Sequence, residues 1–423
     1  MDLKSKKSLR KEIVEKYKNH VSSSKVKFYK KYRMNFIMGK REGSFIWDID
    51  GEKKLLNLHC NGGVFNLGHR NRELIEILKE SLEYYDIGNH HLMSRARAEL
   101  AEYIAYLMPE DLDYVIFGVS GGEAIDTAIK IARGYTGRKK IISAKGGYHG
   151  HTGLALAAGD PKYREPFYSS SSDFVQIEFN NIKALEENID RRTAAVIFET
   201  IPATLGMPIA DKDYFRTVKR ICERKGALLI LDEVQSGLGR TGKLWAFQHF
   251  NVVPDIVVLG KGLSGGLYPI TATVIRRELE RVFKKDPFIH ISTFGGAEPG
   301  AVVAKRVLEI VSDENFLKSV NRKSELFSLY FNELKRVETK FVKGLRRLGL
   351  MMGLELYDEY SGPALTKSAY DKGVLLVYAN NDKSIAQLLP PLTISEDEIK
   401  LAFELLKKAV KKAKYLRYLL KII

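Results

Sequence analysis

Cysteine is nearly absent from this chain: Cys60 and Cys222 are the only two in 423 residues. So few argue against a disulfide framework and for a reducing cytoplasm. No apolar run approaches the roughly 20 residues that a membrane-spanning helix needs. The opening residues, MDLKSKKSLRKEIVEKYK, lack the apolar core of a secretory leader. Internal repeats and low-complexity linkers are also missing, which excludes solenoid and tail-like readings. Acidic residues are in the minority, giving a formal net charge of +16. The basic residues are spread along the chain and concentrated only near its ends. In Lys407–Lys421 they alternate with apolar residues at helical spacing, as on a surface helix lying on its own domain. The excess therefore reads as solvated faces, with no nucleic-acid and no membrane partner. The adjacent His90 and His91 have no third ligand in reach of the pattern, so no metal site is expected.

What is present is ordinary globular composition, 45% hydrophobic and 28% charged, in a chain long enough for a large and a smaller domain. The organising stretch is Ala227–Ile270, ALLILDEVQSGLGRTGKLWAFQHFNVVPDIVVLGKGLSGGLYPI. Its apolar runs Leu228–Leu231 and Ile256–Leu259 read as buried parallel strands. They lead into Asp232 and Lys261, and residues at the carboxyl ends of such strands face the ligand crevice of an open α/β sheet. A carboxylate opposite an amine suits a pyridoxal phosphate site. The amine forms a Schiff base with the aldehyde, and the acid keeps the pyridine nitrogen protonated so that the ring accepts electrons.

DEVQSGLGRTG (Asp232–Gly242) followed by PDIVVLGKGLSGG (Pro254–Gly266) closely resembles the cofactor signature of class III aminotransferases, which are fold-type-I pyridoxal phosphate enzymes. The resemblance runs over essentially the whole chain beyond about Phe45. It implies an α/β fold with a large, mostly parallel-sheet domain and a smaller α+β domain. Residues 1–55 and 321–423 are expected to form the small domain, and 56–320 the large cofactor-binding one.

In chain order, FIWDIDGEKKLLNLHCNGG carries a hairpin turn at Asp50-Gly51, and Cys60–His69 reads as a glycine-rich connection lining the site. Helices are expected at Arg72–Tyr84, Arg95–Leu107 and Asp211–Lys225, and strands at Tyr114–Val119, Lys139–Ser143 and Ala194–Glu199. Ser395 and Glu398 form a capping-box pattern before the last helix. The glycines of SGGEAIDTAIKIARGYTG (Ser120–Gly137) open a helix whose free amides and dipole suit a phosphate. By resemblance, Gly121 and Gly122 hold the cofactor phosphate, although Gly122 replaces the family's usual hydroxyl residue. By resemblance too, Tyr148 and Val234 cover the two ring faces and Gln235 bonds the phenolic oxygen. Thr293 reaches the phosphate of a neighbouring subunit, so a homodimer with shared active sites is implied. Lys261 and Asp232 are the implied catalytic pair and pyridoxal 5'-phosphate the implied cofactor. The implied reaction moves an amino group from an amine or amino acid to a 2-oxo acid.

On the substrate side the resemblance implies a pocket formed by Glu199, His151 and Gln387. Many relatives have arginine at the position of Gln387, and the 4-aminobutyrate enzymes also at that of His151, each pairing with a substrate carboxylate. Neither replacement offers a planar guanidinium fork. Amine donors, or amino acids without a distal carboxylate, are therefore expected over 4-aminobutyrate. A racemase or epimerase of the same family is an alternative. A nicotinamide-dependent oxidoreductase is a more remote one, since Gly237–Gly242 and Gly260–Gly265 both satisfy G-x-G-x-x-G.

Overall fold

The computed structural model describes residues 3–88 and 92–422. The His90–His91 pair lies outside the described residues. In chain order the strands are β1 (Met38–Glu42), β2 (Phe45–Asp48), β3 (Lys54–Asn57), β4 (Leu112–Gly118), β5 (Lys140–Ala144), β6 (Phe174–Ile177), β7 (Thr193–Glu199), β8 (Leu228–Asp232), β9 (Ile256–Leu259) and β10 (Thr271–Arg276). These are followed by β11 (Val342–Leu348), β12 (Met351–Leu356), β13 (Val374–Leu375), β14 (Val377–Tyr378) and β15 (Ile385–Leu388).

The large sheet has seven strands in the order β4-β10-β9-β8-β7-β5-β6. From β6 to β9 every pairing is parallel, and β10 alone runs antiparallel, between β9 and β4. Every residue of β7, β8 and β9 is buried, because helices cover both faces as parallel sheets require. Alternation along the strands divides the apolar residues between two layers. Ile197, Ile230 and Val258 point toward the helix Gly121–Thr136 through its Ala124, Ile125 and Ala128. Phe198, Leu229, Leu231 and Leu259 point the other way, toward Phe215 and Val218 of the helix Tyr214–Lys225 and Val303 and Val307 of Glu298–Val311. Fold class is as the sequence suggested: α/β, with a large, mostly parallel sheet.

A second core gathers Leu56 and Leu58 with Phe327, Phe331, Met352, Leu388, Phe403 and Val410. Its antiparallel sheet runs β11-β12-β15-β14, and a further sheet runs β1-β2-β3-β13. The parallel pairing of β13 with β3 joins residues near the two ends of the chain. The helix Glu396–Ile422 opens on the capping box read in the sequence. Glu398 N donates to Ser395 Oγ at 3.1 Å and Ser395 N donates to Glu398 Oε2 at 2.9 Å. Ala409, Val410 and Ala413 bury one face of this helix, so its lysines lie on the other.

Some boundaries differ from the sequence reading. The helix expected from Asp211 begins at Tyr214, and the one expected to reach Tyr84 ends at Ser81. The connection after β3 opens with a left-handed turn, in which Cys60, Asn61, Gly62 and Gly63 have φ of 50°, 51°, 68° and 94°. Side-chain-bearing residues seldom adopt that conformation, and hydrophobic patterning carries no signal for it. No helix among the described residues is long and apolar enough to cross a membrane.

Candidate active site at the carboxyl edge of the sheet

Three strand ends converge. Glu199 closes β7 and Asp232 closes β8, paired in register, and Lys261 follows β9 after one glycine. Lys261 has φ of 41°, an uncommon value for a residue with a Cβ and one that costs on the order of 1–3 kcal/mol. Gly260 and Gly262 allow this sharp exit. A Cβ on Gly260 would come 3.2 Å from Val234, and one on Gly262 would come 2.6 Å from Asn66 Nδ2.

The carboxylate of Asp232 is fixed from two sides. His149 Nδ1 lies 2.8 Å from Oδ2, and Val234 N donates to Oδ1 at 3.0 Å. Burial pushes His149 down, but the hydrogen bond and charge of Asp232 outweigh it and hold the imidazole above its ordinary value. Its Nε2 is buried without a hydrogen-bond partner. Lys261 is held below the ordinary amine range by burial, against the opposing charges of Asp232 and Glu199. Glu199 is pushed up to about 7, mainly by burial, with Asp232 adding to the rise and His149 opposing it. Its oxygens accept from Tyr148 N at 2.9 Å and Ala203 N at 3.3 Å. Among the described residues no arginine or lysine forms an ion pair with it.

Gly62, within the glycine-rich connection expected to line the site, faces this group. A Cβ there would lie 3.5 Å from Lys261 Nζ and 2.6 Å from Gln235 Nε2. Gln235 Nε2 donates to Gly62 O at 2.8 Å. The left-handed turn thus presents bare backbone to the lysine. Val234 packs within 3.2 Å of the Cβ position of Gly121, which links the lysine end of the site to the helix Gly121–Thr136. That helix is capped by Ser120, whose Oγ accepts from Glu123 N at 3.2 Å, and its first-turn amides have no intrahelical acceptor. The space beside Gly122 is not empty, because Thr152 Oγ1 lies 2.6 Å from where its Cβ would be. Thr152 precedes the helix Gly153–Ala158 without capping it. Its hydroxyl stands where a side chain at 122 would go.

The expected substrate positions fall in two places. Gln387 is buried on β15 and donates from Nε2 to Ala203 O at 3.1 Å, beside the loop that follows Glu199. It lies beside His59, which burial and the charge of Lys261 push down to about 4. His59 was missed in the sequence because nothing in its neighbourhood marks it apart from the adjoining glycines. His151 is exposed and packs its ring against Tyr148 and Tyr163. Thr293 lies apart from these groups and is exposed, in a small cleft with Asp86, Gly88, Arg97 and Glu298.

The residues present fit the cofactor implied by the sequence. A lysine amine held below its ordinary value faces a buried carboxylate that already has a hydrogen-bonded partner, and a glycine-lined cradle leads from them to a helix N-terminus. Neither glycine-rich stretch forms a dinucleotide fold. Gly260–Gly265 passes through a short 3-10 turn into the antiparallel β10, and Gly237–Gly242 is followed by another short 3-10 turn. Among the described residues no group of three His, Cys, Asp or Glu is placed to hold a metal.

A mostly parallel sheet with this lysine and these carboxylates at its edge defines a fold-type-I pyridoxal phosphate enzyme. The chain belongs to the class III aminotransferases, whose family model, "Aminotransferase class-III", matches residues 28–410. It is 53% identical over 412 residues to an uncharacterized aminotransferase of Archaeoglobus fulgidus, covering 97% of each chain. It is 35% identical to an acetylornithine aminotransferase of Methanopyrus kandleri, covering 95% of this chain and 98% of that one. Among solved structures, a thermostable (S)-enantioselective omega-transaminase of Thermomicrobium roseum superposes with a TM-score of 0.85 at 29% identity, covering 95% and 98% of the two chains. The protein is a pyridoxal-phosphate-dependent aminotransferase, and these relatives do not favour the racemase or epimerase alternative.

Proposed function

We propose that this aminotransferase takes its amino group from a donor whose distal end is an amine or apolar group, and passes it to a 2-oxo acid. The observation that carries this reading is Glu199, buried beside Asp232 with no arginine or lysine ion-paired to it among the described residues, the nearby charges being those of Lys261 and His149. Gln387 adds to it, since its Nε2 donates to Ala203 O and no guanidinium stands in its place. A pocket with a buried acid and no guanidinium to pair with a substrate carboxylate favours a cationic or neutral end over a carboxylate.

In this reading Lys261 would be the amine that holds pyridoxal 5'-phosphate, and Asp232, steadied by His149, would hold the pyridine nitrogen. The cofactor supplies the electron sink for breaking the substrate C–H bond. Because burial keeps the Lys261 amine below its ordinary value, Nζ is suited to take that proton and return it. The amides of Gly121 and Gly122 would hold the phosphate, Tyr148 and Val234 would cover the ring, and Gln235 would bond the phenolic oxygen. His151 lies at the pocket mouth.

The same reading assigns a homodimer in which Thr293 serves the partner's site. Exposed Phe294, Ile291 and Ile289 beside Thr293, with Ile87 and Leu92 nearby, support a second copy on this face. The division into 56–320 against 1–55 with 321–423, and a cytoplasmic location, belong to the proposal. The test is a donor panel with the purified enzyme and a common 2-oxo acid. Amines and diamino acids should exceed 4-aminobutyrate in kcat/KM, and the opposite order overturns the substrate assignment. A near-visible absorbance bleached by borohydride checks the lysine linkage.

A further inference from the structure

Tyr148, His151 and Tyr163 stand mutually edge to face. Ring centroids are 5.3 Å apart for Tyr148–His151, 5.9 Å for Tyr148–Tyr163 and 5.2 Å for His151–Tyr163, with interplanar angles of 67°, 83° and 83°. Each ring offers a positive edge to a neighbour's negative face, the arrangement aromatic pairs prefer. The backbone of Tyr148 is fixed independently, because its N–H donates to Glu199. Only the side-chain torsions remain to set how its ring tilts, and the other two rings constrain them.

The outer end of the trio is itself anchored. Tyr163 lies on the short helix Pro161–Arg164. Asp160 N, just before that helix, donates to Gly147 O at 3.1 Å, and Asp160 Oδ1 accepts from Lys162 N at 3.0 Å. Lys162 Nζ donates to Asn380 O at 3.0 Å and also bonds Asn381. Asn381 Nδ2 in turn donates to Gly146 O at 2.6 Å. Gly146 and Gly147, on the N-terminal side of Tyr148, are therefore tied to the segment that carries Tyr163, Gly147 directly through Asp160 and Gly146 through Asn381 and Lys162.

We propose that Tyr163 and His151 are positioning residues that set the tilt of Tyr148 against the cofactor ring. His151 thus acts through Tyr148, not by contact with substrate. The inference rests on the reading that Tyr148 covers the cofactor ring. It identifies a residue, Tyr163, that lies outside every motif of the sequence.

The experiment uses holoenzyme and reads the induced circular dichroism of the cofactor band together with the cofactor Kd. Tyr163→Leu and His151→Ala should each change the dichroism and weaken cofactor binding about tenfold, while far-ultraviolet spectra stay unchanged. Tyr163→Phe and His151→Phe keep an aromatic edge and should restore both quantities. Wild-type dichroism and Kd in the Leu and Ala variants would overturn the brace. So would Phe variants as impaired as these, since the hydroxyl or imidazole would then be what matters. His151→Ala changing only donor KM, with the dichroism intact, would make it a substrate contact. Tyr148→Leu separates the two failures. If it leaves the dichroism unaltered, the underlying reading of Tyr148 fails; if it alters the band while the brace variants do not, only the brace fails.

Discussion

His149 Nδ1 and Asp232 Oδ2 stand 2.8 Å apart at the carboxyl edge of the sheet, both side chains buried, one from the loop after β5 and the other from the end of β8. The carboxylate thus has its partner before any cofactor arrives. Its orientation is built into the apoprotein.

Removing that partner should loosen Asp232 without removing its charge. His149→Gln is expected to slow turnover on the order of tenfold, about the worth of one charge-assisted hydrogen bond. The folded imidazole lies above its ordinary value of 6.5. Its contribution to apoprotein stability is therefore complete below pH 6.5 and is lost as pH rises through the folded value. Thermal melts of the apoprotein across pH should show this loss in the wild type and not in the variant. Parallel curves would remove the ion pair from the account.

Glu199 gives a second window. Its carboxyl lies at about 7, against an ordinary value of 4.5. The protonated form is favoured by folding, so its contribution is complete below pH 4.5 and disappears as pH rises through about 7. Glu199→Gln, neutral at every pH, should melt higher than the wild-type apoprotein above pH 7 and converge with it in acid. A Gln variant that melts lower at high pH would mean that the carboxylate is held by a cation.

Substrate choice is tested at β15. Gln387→Arg places a guanidinium next to the Glu199 loop, and a charge-assisted bond to a substrate carboxylate is worth about 1.5–3 kcal/mol. Its expected effect is a KM for 4-aminobutyrate lower by at least about tenfold, with kcat changed little, as added ground-state binding gives. Efficient 4-aminobutyrate turnover by the wild type, or no gain in the variant, would indicate that another cation such as Lys383 serves the carboxylate.

Shared sites are tested by mixing chains. Lys261→Ala and Thr293→Ala subunits, once exchanged, form heterodimers in which one site carries both defects and the other neither. Activity above both parents is expected. Activity at the parental level, with exchange proven by mass spectrometry, would place Thr293 outside the partner's site.

Arg240 makes a prediction about stability. Its guanidinium is buried, with Nη1 donating to Leu350 O at 3.1 Å and Pro390 O at 2.6 Å and Nη2 to Asn66 Oδ1 at 2.5 Å. Burial draws it down to about 10. Arg240→Met leaves those oxygens without a donor, at a cost of about 1–3 kcal/mol for each group left unmatched. The apoprotein Tm should fall by several degrees, whereas an unchanged Tm would mean that water takes over the three oxygens.

The sequence by itself determined the strands that carry the chemistry. Ile256–Leu259 was read without error, and Asp232 and Lys261 were placed at strand ends, because buried parallel strands leave a continuous apolar run that stops where the crevice begins. The capping box at Ser395 was equally legible, since it depends on residues three apart. What joins distant segments was not. The contact of Thr152 with Gly122, the approach of Gly62 to Lys261 and the span of Arg240 depend on how loops from separate strands come together, and the pairing of Tyr163 with Tyr148 on how the one long connection between β5 and β6 folds back on itself. His59 beside Gln387 depends on the end of β15 lying against the segment after β3, where Leu389 N donates to Leu58 O at 2.6 Å. Local patterning encodes which face of an element is apolar. It does not encode the close approaches between loops, and only the packed tertiary structure decides which polar and aromatic groups meet at the sheet's edge.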